Sequence, residues 1–117
     1  MKLQAIRKLS KSWQKTLGLT DWKISVVWAK PDMLDKDGEV TYAQIEYDAH
    51  RLEATIHIRK DEHDYEDTII HELSHLFLFP LENAAGFSIK PSTDQWETAM
   101  EQTVNKLTKI LKENSNG

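Results

Sequence analysis

Five consecutive residues near the middle of the chain, His71, Glu72, Leu73, Ser74 and His75, set two imidazoles four positions apart with a carboxylate beside the first. On a helix, residues i and i+4 stand one above the other on one face. Both imidazoles can then reach a single ion at about 2.0–2.1 Å. Glu72, one step round the helix, can hold a water beside that ion without ligating it. A zinc-type dication lowers the pKa of such a water toward about 7. The carboxylate can take the proton as the oxygen attacks a carbonyl, and can then pass it to the leaving amine. The surrounding run 68–79 is apolar on almost every side. Unpaired His and Glu groups buried there would cost about 1–3 kcal/mol each, and ligation relieves that cost.

The third ligand must come from elsewhere. The chain has no cysteine, which removes thiolate ligands, disulfides and thiol nucleophiles together. His50, His57 and His63 precede the motif and no His follows His75. The metzincin pattern needs a downstream Gly and His where this chain has Leu78 and Leu81. SprT-type proteases also need a downstream His, and peptide deformylases need a Cys. A carboxylate is therefore expected as the ligand. The downstream candidates are Glu82, Asp94, Glu97, Glu101 and Glu113. Glu97 and Glu101 are i and i+4 on the last helix, beside its apolar stripe, and are the best placed. Asn105 falls on the same face as Glu101 and can orient it. Among the other polar residues, His63 precedes the motif helix and is a candidate to support the site or touch substrate. Tyr42 and Tyr47 are candidates to donate to a developing oxyanion. His57 points to the polar side of its strand and reads as a surface residue.

These groups need elements to hold them. Residues 2–17 read as an amphipathic helix through Leu3, Ile6, Trp13 and Leu17, stopped by Gly18. Residues 22–28 alternate, with Trp22, Ile24, Val26 and Trp28 on one side. Residues 31–38 read as a polar loop closed by the Asp37-Gly38 turn. Residues 39–47 and 52–59 are β-rich and joined at 48–51, a hairpin pattern in which Leu52, Ala54, Ile56 and Ile58 share the core face. Asp64, Glu66 and Asp67 mark a helix N-terminus. The motif helix follows, with Pro80 ending it and a loop over 81–91. Ser92 with Gln95, or Asp94 with Glu97, can cap a last helix whose stripe is Trp96, Met100, Val104, Leu107 and Leu111. The expected architecture is one α+β domain over residues 1–117. It has an N-terminal helix, a three-stranded, mainly antiparallel sheet, the motif helix and a C-terminal helix carrying the carboxylate ligand.

The run 68–76, followed by a loop and by Trp96, Glu97, Glu101, Val104, Asn105 and Leu107, resembles the minimal zincin metallopeptidases of phages and prophages. It is similar more distantly to ImmA/IrrE-type metallopeptidases and gluzincins. The resemblance spans roughly residues 20–112. It implies a zincin-like fold with one zinc per chain between the last two helices. It also implies an HExxH endopeptidase whose peptide or protein substrate lies along an edge strand of the sheet. The phage and ImmA/IrrE-type pattern pairs the ligand Glu with an Asn four residues on, which favours Glu101 with Asn105. A gluzincin-like arrangement makes Glu97 the ligand and lets Glu101 support a ligand His. The alternative to an enzyme is a zincin-fold protein of phage origin that binds or regulates one partner.

Composition bounds the rest. The 117 residues carry a net charge of −4, which argues against nucleic acid as a partner. Residues 1–15 run against that balance, with Lys2, Arg7, Lys8, Lys11 and Lys15 and no acid. They form either a solvated face or a docking face for a protein partner. No stretch reaches the roughly 20 apolar residues of a membrane span. Leu3, Ile6, Leu9 and Trp13 are too interrupted for a secretory leader, so a cytoplasmic location is expected.

Overall fold

A computed structural model describes residues 2–30, 42–62, 64–88 and 93–115, with 82–88, 93–96 and 115 by backbone alone. The elements run α1 (Leu3–Thr16), β1 (Lys23–Trp28), β2 (Ala43–Asp48), β3 (Glu53–Ile58), α2 (Tyr65–Ser88) and α3 (Thr93–Ser115). His63, the 31–38 loop and Ser92 of the expected capping pair lie outside the described residues. So do the side chains of Glu82, Asp94, Gln95 and Trp96.

α1 ends as its sequence demands. Gly18 adopts φ +70°, the left-handed conformation that costs glycine little. Its N–H donates to Lys15 O at 3.1 Å and the Leu19 N–H donates to Gln14 O at 2.9 Å. These are the two bonds of a Schellman stop. The Gln14 side-chain amide then donates to Leu19 O and Trp22 O, which fixes the path into β1. Ile6 and Trp13 are buried toward the sheet and α2, and the Trp13 indole N–H donates to Glu66 Oε2 at 3.2 Å.

The sheet is mixed and its order is β1-β3-β2. β2 and β3 form the expected antiparallel hairpin, Ala43 opposite Ile58 and Asp48 opposite Glu53. β1 runs parallel to β3, Lys23 opposite Glu53 and Trp28 opposite Ile58. The mainly antiparallel expectation is corrected here. A hairpin announces itself locally, whereas the direction of β1 is set by burial. β3 is the most buried strand, through Ala54, Ile56 and Ile58. It takes the centre, which leaves its other edge for β1.

Leu52 is a second correction. It is 36% exposed at φ 54° and belongs to the turn, not to the core face. The Asp48 side chain accepts from the backbone N–H of His50 and of Arg51, and this turn needs one left-handed residue before β3 resumes. Pro80 is a third. It lies inside α2, which runs on to Ser88, so the expected loop begins later. A proline removes one helical hydrogen bond and crowds the carbonyl four residues back. The turn before Pro80 is held by burial of Leu76 and by Phe79 against the core.

The three strands put Ile24, Val26, Ala54, Ile56, Ile58, Ala43 and Ile45 on the side that α1 and α2 cover. Ile69, Ile70, Leu73 and Leu76 of α2 fill the centre and are at most 1% exposed. α3 packs on α2. Of α3, Met100, Val104 and Thr108 are buried, while Leu107 and Leu111 are half-buried.

Candidate metal centre

α2 begins at an aspartate that caps it. Asp64 Oδ1 accepts from the Asp67 N–H at 3.0 Å, as an N-cap does. The bond to the Asp67 N–H is the main reason the Asp64 carboxyl lies below its ordinary pKa, followed by the Lys112 ammonium that bonds it. Lys112 belongs to α3 and also lies 3.9 Å from Asp67. α2 and α3 are therefore tied at the end where α2 starts and α3 finishes, and they run antiparallel.

Two turns further along α2 the same antiparallel pairing brings Glu101 over His71 and His75. Glu101 Oε1 lies 2.9 Å from His75 Nε2 and Oε2 lies 3.5 Å from His71 Nε2. The two imidazole rings are 5.0 Å apart between centroids. One donor atom from each residue falls within 4.8 Å of the others. Around a tetrahedral ion with bonds of about 2.0–2.1 Å, neighbouring donors stand about 3.3 Å apart. The two spacings from Glu101 to the imidazoles bracket that value, and the group could hold a metal ion. Both His side chains keep between a fifth and a quarter of their surface exposed, so the face is open to solvent.

Glu72 is 8% exposed. Its carboxyl is pushed up to about 8, first by burial and second by the negative charge of Glu101. Glu101 is thus near enough for its charge to act on Glu72, although its own side chain is 53% exposed. A cation held by the three donors would offset both charges.

The other candidates fall as follows. Glu97 is half-buried one turn before Glu101 and is not in the gathered group. Asn105 is exposed and lines a groove with Asp67, Thr108, Lys109, Lys112 and Glu113. No hydrogen bond joins it to Glu101 among the described residues. Tyr42 lies under the Arg59 guanidinium, 5.1 Å from ring centroid to Cζ. Tyr47 packs against Trp22 and Phe79. His57, read from the sequence as a surface residue, is half-buried on the outer side of β3, its Nε2 3.5 Å from Glu46 Oε2. Sequence reasoning did not anticipate the Trp22–Tyr47–Phe79 group or the Lys112 tie. Phe79 gave no signal beyond being one more apolar residue in an apolar run, and Lys112 none beyond a basic residue near a helix end.

Searches against known protein families, curated proteins and solved structures found no match. The fold and the donor set therefore stand on their own geometry.

Proposed function

We propose that this chain is a zincin-like metallopeptidase holding one zinc ion through His71, His75 and Glu101, with Glu72 as general base. The observation that carries the reading is the convergence of Glu101, from a separate helix, onto the two imidazoles of an H-E-x-x-H turn. A nearly buried carboxylate that bonds no described group lies beside them. Such a group is costly to the fold and is accounted for by a role in proton transfer.

Zinc bound there would polarise the scissile carbonyl and acidify a water to a pKa near 7. The remaining work is done by the chain. Glu72 takes the proton of the attacking water and returns it to the amine nitrogen as the C–N bond breaks. Its burial keeps bulk water from competing for that proton. Glu101 would supply the third donor from α3. A peptide in such a site lies along an outer strand as an added strand, and β2 is the outer strand nearest α2.

The test is metal content followed by turnover. Purified protein should carry about one zinc per chain, removable by chelator, and His71→Ala or His75→Ala should lose it. Glu72→Gln should keep the zinc and lose nearly all hydrolysis of a protein substrate. Protein that neither contains zinc nor takes it up on titration refutes the reading.

A further inference from the structure

We infer that α1 locks the outer edge of β1, with Arg7 and Gln14 as the ties, and that the partner it holds off is the same strand of a second copy of this chain. The Lys23 N–H donates to Leu52 O and the Ala29 N–H to Ile58 O, both at 2.8 Å. Lys23 therefore bonds toward β3, and in a parallel pair every second residue does so. The N–H and C=O of Ile24, Val26 and Trp28 point the other way, where no strand pairs with them among the described residues. Such an edge is a template for another strand. β1 has few of the usual defences. Its sequence is Lys-Ile-Ser-Val-Val-Trp, with no proline and one charge, at Lys23. Its register with β3 is unbroken from Lys23 to Trp28, so no bulge turns the edge aside.

α1 supplies the defence instead. The Arg7 Nε–H donates to Val26 O at 3.1 Å, and the Gln14 amide donates to Trp22 O at 2.6 Å. Trp22 and Val26 are four residues apart, so both carbonyls lie on the outer edge, about 13 Å from one another. Arg7 and Gln14 are seven apart and return to nearly the same side of α1, about 10.5 Å along it. The two spacings are similar, so α1 runs antiparallel to β1 and ties it at two points of one edge. Arg7 holds the middle. Two copies of β1 meeting antiparallel across a two-fold axis would set Val26 opposite Val26 and Ile24 opposite Trp28. The central pair would need the Val26 carbonyl that the guanidinium occupies. Val26 is 3% exposed, so little water stands ready to replace Arg7 there. A carbonyl stripped of that donor would take an N–H from an arriving strand.

The experiment uses the full chain and a dye-labelled synthetic peptide with the sequence of residues 22–30, followed by fluorescence anisotropy. The readout is independent of the metal centre. Arg7 is exposed, so its variants should keep the fold, which thermal melting checks. Arg7→Met removes the donor and keeps much of the side-chain length. It should bind the peptide about ten-fold or more tightly than wild type does, the size of one charge-assisted hydrogen bond. Arg7→Lys keeps a donor at similar reach and should bind the peptide no better than wild type. A peptide methylated on the nitrogens of Val26 and Val27, which spoils both of its edges, should not bind Arg7→Met. Equal binding of the parent peptide by wild type and Arg7→Met overturns the inference. Binding of the methylated peptide as tight as that of the parent overturns it as well, because apolar adhesion rather than strand pairing would then hold the peptide.

Discussion

Glu72→Gln should make the metal-free protein more stable at alkaline pH, and the size of the gain follows from where the carboxyl sits. Its pKa is about 8 in the fold against an ordinary 4.5. Folded protein thus holds this proton across a window in which unfolded protein has released it. The Glu72 contribution to the stability of metal-free wild type then falls as pH rises from about 4.5 to about 8, and levels off above. At about 1.4 kcal/mol per tenfold change in proton affinity, the window caps the cost of ionisation at about 5 kcal/mol. Water entry and side-chain relaxation reduce this, so a gain of roughly 1–3 kcal/mol is expected at pH 8.5. Glutamine has the same shape and no charge, so the gain should vanish near pH 4. The assay is urea denaturation of chelator-treated wild type and variant at both pH values, which cancels every group the two share. Zinc should shrink the gap, because a dication stabilises the charged form. A variant no more stable than wild type at pH 8.5, or equally favoured at pH 4, refutes the argument.

Glu101→Ala should weaken zinc binding more than Glu97→Ala, read by competition with a chromogenic chelator; the reverse order would exchange their roles. Supporting residues typically cost about 10–100-fold in affinity, and loss of a ligand should exceed that. Reversing the charges of the exposed Lys8, Lys11 and Lys15 should change stability by under about 0.5 kcal/mol, measured by urea denaturation. A loss of partner capture with the fold intact would instead make α1 a docking face. Lys112→Met should cost no more than about 1 kcal/mol at pH 7, since both partners of the ion pair are part-exposed. The Asp64 pKa is lowered, so that contribution is present above the ordinary carboxylate range and lost as pH falls through the folded value. A cost unchanged between pH 7 and pH 2.5 would show that packing of the Lys112 stem, not charge, is what matters.

What could be read from the sequence was whatever a few neighbouring residues decide. The i, i+4 histidines, the Gly18 stop and the Asp64 cap each depend on one turn of chain, and each was legible. The alternation of β1 and β3 was legible too, because burial of one face imposes a period of two. Leu52 fits that period and still turns outward, because the hairpin's need for a left-handed residue outweighs its apolar side chain. Pro80 is a strong local stop, but packing of the surrounding turns outweighs it. The parallel pairing of β1 with β3 and the meeting of Trp22, Tyr47 and Phe79 join residues far apart in the chain, with no local marker. Glu101 stood with Glu97 as an open alternative, since one turn of helix separates them and only the docking of α3 on α2 tells which carboxylate faces the imidazoles.

The third donor is carried by a helix that docks mainly on α2. Among the described residues, its buried Met100 and Val104 stand outside the main core cluster, against which only Leu111 packs. The position of one of the three donors thus depends on the contact of α3 with α2. Any loosening of that contact would raise the apparent dissociation constant for an ion in proportion to the undocked fraction. Conversely, a bound ion would strengthen the docking of α3. The measured zinc affinity is therefore also a gauge of helix docking, and substitutions far from the donors, at Met100, Val104 or Leu111, would change it without touching a ligand.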